Sequence, residues 1–131
     1  MNVFKIGEDD FGIGKVSLEV DYDNSLIIDL TLEADENTYE TISSDAKNGW
    51  DWTLYPPRLY FYEVPFIIND MGNVEVNFND DLLGKSDFAL YFMEHNYIRG
   101  KLVVNAGSIQ IKGETSIMGK KYLLEVFTNE I

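Results

Sequence analysis

Residues 79–86, Asn79-Asp80-Asp81-Leu82-Leu83-Gly84-Lys85-Ser86, end in the Gly-Lys-Ser of a phosphate-binding loop. Such a loop aims backbone N–H groups and a lysine at phosphate oxygens. It needs a glycine at its first position, a strand before it and a long helix after it. Here the first position is Asn79, two aspartates would repel phosphate, and no helical periodicity follows. Gly7, Gly12 and Gly14 fit no dinucleotide fingerprint, and three acids lie among them. They predict a mobile N-terminal hairpin or loop. Asp21-Tyr22-Asp23-Asn24-Ser25 opens like an EF-hand calcium loop, but Leu26 stands where glycine is needed and Leu32 where the last glutamate is needed. An irregular calcium site would have to draw on Asp9, Asp10, Asp80 or Asp81, since oxygen ligands can converge from distant loops. None of these patterns implies a metal or a cofactor.

His95 is the single histidine, with Glu94 and Asn96 on either side. In an extended segment those two neighbours share one face and His95 takes the other. The trio is therefore no ready-made acid–base constellation, although one histidine can serve as a general base. The chain has no cysteine and no Gly-x-Ser-x-Gly elbow, so no nucleophile is marked. No residue argues for catalysis.

Charge says more. The net charge is −13, and residues 1–51 hold 13 acids against three bases. Residues 95–131 reverse the balance, with three acids and five bases. Between Lys15 and Lys47 lie nine acids and no base: Glu19, Asp21, Asp23, Asp29, Glu33, Asp35, Glu36, Glu40 and Asp45. Such a chain repels nucleic-acid phosphates and anionic membranes, so a partner chosen by charge is cationic. No secretory leader pattern and no apolar run of membrane-spanning length is visible. Absence of cysteine fits a reducing compartment, and the expected location is cytoplasmic.

The elements that must position these acids have a period of two. Val16, Leu18, Val20 and Tyr22 alternate with Ser17, Glu19 and Asp21. After the turn signal Asp23-Asn24-Ser25, Leu26, Ile28, Leu30 and Leu32 alternate with Ile27, Asp29, Thr31 and Glu33. This predicts a β-hairpin with the aliphatic series as its core face. The other face would set like charges opposite one another across the strands. Residues 36–49 are polar and irregular, suiting a short helical turn or a surface loop. Further alternating segments follow, and the last two are joined by Met118-Gly119-Lys120, a second expected hairpin. No long segment repeats apolar residues at helical spacing. One all-β domain spanning residues 1–131 is expected: an antiparallel sandwich or barrel of about eight to ten strands, with at most one or two short helical turns.

Residues 48–66 hold seven of the 18 aromatic residues and all three prolines. Prolines are excluded from a central ladder, so Pro56-Pro57 mark a strand end or bend. Leu59 and Phe61 are expected in the core, with Tyr60 and Tyr62 half-exposed. The expected function is a non-enzymatic, acidic protein-binding domain. By composition it is comparable to small inhibitors and immunity proteins that occlude a basic partner. Candidate partner-binding residues are Glu19, Asp21, Asp29, Glu33, Asp35 and Glu36, with Trp50 and Trp52 as aromatic anchors. The alternative is a small-ligand-binding barrel with an aromatic-lined cavity.

Overall fold

The computed structural model describes residues 2–44, 56–79, 87–92 and 95–129. In chain order the elements are β1 (Asn2–Ile6), β2 (Asp9–Asp10), β3 (Lys15–Val20), β4 (Ile27–Glu33), α1 (Glu36–Ser44), β5 (Arg58–Pro65) and β6 (Ile67–Ile68). They continue with β7 (Val74–Phe78), β8 (Asp87–Tyr91), β9 (His95–Asn96), β10 (Ile98–Asn105), β11 (Ser108–Ile117) and β12 (Lys120–Thr128). Two antiparallel sheets result. The large sheet runs β2-β1-β12-β11-β10-β7-β6 and the small sheet β3-β4-β5-β8-β9. Neither closes on itself. Of the two expected architectures, the molecule is the sandwich.

Alternation explains how the layers meet. On β7, Val74, Val76 and Phe78 are buried, and on β4 Ile28, Leu30 and Leu32 are buried. Phe61 of β5 reaches between the sheets, its ring centroid 5.2 Å from Phe78 on the large sheet and 6.0 Å from Phe88 on β8. Burying each such side chain contributes about 1.5–3 kcal/mol. Leu59 and Phe61 are core, as expected, whereas Tyr60 is buried and Tyr62 is the exposed member of the pair. The Pro56-Pro57 step precedes β5, and the Pro57 carbonyl accepts a hydrogen bond from Ala34 N–H at 3.0 Å. This bond starts the ladder between β4 and β5.

The first hairpin forms from β3 and β4, with Val16 opposite Leu32, Leu18 opposite Leu30 and Val20 opposite Ile28. Its core face is shorter than the alternation predicts. Tyr22 and Leu26 are exposed, not core. The cause is local: the Asp21 carboxylate accepts hydrogen bonds from the N–H groups of Asp23, Asn24 and Ser25. Leu26 then takes a φ of 50°, outside the strand region. The second hairpin turns on Met118 and Gly119, whose φ values of 50° and 80° match the left-handed pair of a two-residue turn.

At the N-terminus, β1 pairs with β12 and β2 pairs with β1. Asp10 accepts hydrogen bonds from Phe4 N–H and Gly12 N–H, both at 3.0 Å, and Phe11 is fully buried. The expected mobile hairpin is thus part of the large sheet. Residues 36–44 form a nine-residue helix, α1. Asp35 caps it, accepting from Thr38 N–H at 2.9 Å and from the Thr38 hydroxyl at 3.0 Å. Tyr39 of α1 packs on Phe11, which packs on Phe92, so the helix covers one end of the core.

Candidate functional site

The outward face of the small sheet is ordered in rows by strand register. One row joins Lys15, Glu33, Arg58 and Tyr91. The next joins Ser17, Thr31, Tyr60 and Ala89. The third begins with Glu19 opposite Asp29. There the ladder between β4 and β5 slips: Ile28 pairs with Val64, but Leu30 pairs with Phe61. The extra residue belongs to a bulge in which Glu63 has a φ of 50°. Asp29 fills it by accepting a hydrogen bond from Glu63 N–H at 2.9 Å. Tyr62 pairs with Asp87 on β8, which completes the row. Charge therefore changes across the face. The first row has two cations around one acid, the second is neutral, and the third carries Glu19, Asp29, Glu63 and Asp87 with no cation among the described residues.

Two tyrosines link the neutral and acidic rows. Tyr60 and Tyr62 stack with centroids 4.7 Å apart, and the Arg58 guanidinium lies 5.9 Å from the Tyr60 ring centroid. Burial raises the Tyr60 phenol above its ordinary pKa, and the charge of Asp87 and the hydrogen bond to it add to the rise. Tyr62 is 39% exposed in the middle of the acids. Tyrosine is among the side chains enriched at binding hot spots, because it offers large contact area at low conformational cost.

The sequence-derived candidates separate. Glu19 and Asp29 come together in the acidic row. Glu33 does not, because Lys15 and Arg58 flank it. Asp21 is committed to its turn, where the N–H groups of Asn24 and Ser25 hold its carboxyl below the usual value. Asp35 is committed to the helix cap, and hydrogen bonds from Thr38 lower its pKa in the same way. Glu36 is exposed on the first turn of α1. With Glu33, Ala34, Pro56, Arg58 and Tyr91 it lines an open cleft of about 500 Å³ that contains its own cation. Trp50 and Trp52 lie outside the described residues, as do Asp80, Asp81 and the Gly84-Lys85-Ser86 ending. His95 pairs with Tyr91 at the far edge of the small sheet.

Glu63, Asp87 and Tyr62 belong to the site and were not legible as such. Glu63 stands 34 residues from Asp29, and only the slipped register brings them together. Among the described residues no three His, Asp or Glu side chains form a metal-binding group, and no helix is long and apolar enough to cross a membrane. Fold and site together define a class: an antiparallel β-sandwich with an acidic, tyrosine-centred sheet face. No protein-family model, curated protein or solved structure matches the chain.

Proposed function

We propose that the protein is a non-enzymatic binding domain whose acidic row docks on a basic partner and occludes it, as an inhibitor or immunity-type protein does. The observation that carries this reading is Glu19 placed directly opposite Asp29, with Glu63 and Asp87 continuing the row and no cation in it among the described residues. Like charges facing one another across strands cost roughly 0.2–1 kcal/mol per pair. A cationic surface would turn that cost into attraction and would speed encounter. Tyr62 is the anchor at the centre, and the partner is a basic protein such as a toxin or enzyme whose active cleft is cationic. The setting that fits a cysteine-free acidic chain is the cytoplasm.

The test is affinity capture from the native cell at low salt, followed by elution at high salt. Three baits are compared: wild type, Glu19→Lys with Asp29→Lys, and Glu114→Lys with Glu125→Lys on the large sheet. The two variants change net charge equally. The expected result is a basic protein held by the wild type and by the large-sheet variant but lost from the small-sheet variant. Equal retention by all three baits, or binding indifferent to salt, sinks the reading.

A further inference from the structure

The small sheet begins at β3, and β3 is unlike the strand beside it. On β4 the inward residues Ile28, Leu30 and Leu32 are fully buried, with at most 1% exposure. On β3 the inward residues Val16, Leu18 and Val20 are only partly buried. Leu18 and Val20, with Tyr22, line one side of a groove of about 430 Å³; Val74 and Val104 of the large sheet and the turns at residues 72–73 and 105–107 line the other. Among the described residues, nothing beyond β3 covers this side of the sandwich.

The backbone is open there too. Among the described residues β3 pairs with β4 alone. Asp21 N–H donates to the Ile27 carbonyl. In an antiparallel ladder such bonded pairs alternate, so residues 15, 17, 19 and 21 turn their backbone groups toward β4. Bonds from Ala34 N–H to the Pro57 carbonyl and from Phe66 N–H to the Leu26 carbonyl place the even residues of β4 toward β5, which agrees. The N–H and C=O groups of Val16, Leu18 and Val20 therefore point away from β4, along the edge that is unpaired among the described residues. Of these, Leu18 and Val20 also line the groove.

We propose that the basic partner engages this edge with an extended segment that adds antiparallel to β3 and alternates apolar and basic residues. This rests on the acidic-docking reading above and specifies the partner's binding element. Segment residues opposite Val16, Leu18 and Val20 take the hydrogen bonds and turn their side chains inward, those opposite Leu18 and Val20 into the groove and the one opposite Val16 beside that partly buried side chain, so they are apolar. Residues between them lie on the outer face, opposite Ser17, Glu19 and Asp21, and there a lysine or arginine meets the start of the acidic row. Antiparallel addition continues the pairing found throughout both sheets. A second copy of the chain suits the edge less well, since it would bring two molecules of charge −13 together along acidic edges.

The probe is a synthetic heptapeptide, Val-Lys-Val-Lys-Val-Lys-Val, with a valine–glutamate counterpart as control. Titration into the isotope-labelled protein is followed by amide exchange. The expected result is exchange slowed tenfold or more at Val16, Leu18 and Val20 by the lysine peptide and no binding by the glutamate peptide. N-methylation of the valines, whose N–H groups would face β3, should weaken binding tenfold or more, and N-methylation of the lysines should leave it within about twofold. Leu18→Thr, which keeps strand propensity and removes apolar contact, should weaken it further. No binding, binding without protection at β3, or the opposite N-methylation pattern overturns the proposal. So does a concentration-dependent dimer whose β3 amides are already protected. If a captured basic protein depends on Glu19 and Asp29 yet leaves the β3 amides unprotected, strand addition fails while acidic docking stands. If the capture also fails, both fall.

Discussion

The two outer faces of the sandwich treat charge in opposite ways. On the large sheet a single row runs Asp10, Lys5, Glu125, Lys112 and Lys101 across five strands. Sign alternates along it until Lys101 meets Lys112, and Lys101 is also 3.9 Å from Glu75. One step along, Arg99 faces Glu114, with 3.6 Å between Nε and the carboxylate. That is how a surface under stability pressure alone is expected to look, with both signs interspersed. The small sheet obeys the same rule where Glu33 lies between Lys15 and Arg58, then abandons it four residues further along β3 and β4. Among the described residues, one chain thus supplies both a face of mixed sign and a row of one sign. The proposed docking role rests on this difference.

The largest expected effect tests whether both faces depend on one core. Phe61 is fully buried and touches rings on both sheets. Phe61→Ala should lower unfolding free energy by about 3–5 kcal/mol. Denaturant titration monitored by amide signals from both sheets should show one shared, shifted transition. Separate transitions would mean that the faces belong to independently stable layers, and the contrast between them would lose its common reference.

A smaller effect addresses the contrast itself. Glu19→Lys converts a like-charge pair into an opposite-charge pair and should raise stability by roughly 0.2–1 kcal/mol. Arg99→Glu does the reverse on the large sheet, setting two acids opposite each other, and should lower stability by a similar amount. Chemical denaturation at low salt reads both, and added salt should shrink both. Opposite signs sustain the comparison. A loss of stability in Glu19→Lys would show that the acidic row is already compensated within the molecule.

Much of this organisation was legible in the sequence. Period-two alternation locates β3, β4, β7 and β10 to β12, and the turn residues at 23–25 and 118–119 place two hairpins. Leu59 and Phe61 follow from alternation as well. What escapes such reading is set by contacts between distant residues. Tyr22 and Leu26 continue the alternating pattern but leave the core, because the Asp21 carboxylate closes the turn early. Asp21 and Asp35 look like free acids in the sequence, and backbone N–H groups claim them. Glu33 looks like part of an acidic run until strand pairing brings Lys15 and Arg58 to its sides. Conversely, Glu63 and Asp87 are unremarkable in sequence and become neighbours of Asp29 and Tyr62 only through the bulge and the pairing of β5 with β8.

The smallest expected effect reads the acidic row from inside the protein. Tyr60 is buried and donates its hydroxyl hydrogen bond to Asp87, so its phenol ionises above the ordinary tyrosine value. The proton is held more tightly in the folded state than in the unfolded one. Linkage then gives the sign: this contribution to stability is complete below the unfolded tyrosine pKa of about 10 and is lost as pH rises through the folded value. Asp87→Asn removes the charge while leaving the burial. The Tyr60 titration, followed by phenolate absorbance, should move down part of the way toward its ordinary value, and the alkaline loss of stability should lessen. Glu125→Gln on the large sheet makes the same change in charge far from Tyr60 and should leave that titration in place. An equal shift in both variants would assign the Tyr60 perturbation to net charge. A shift confined to Asp87→Asn would place its electrostatic part in the acidic row, through a group that no external partner needs to touch.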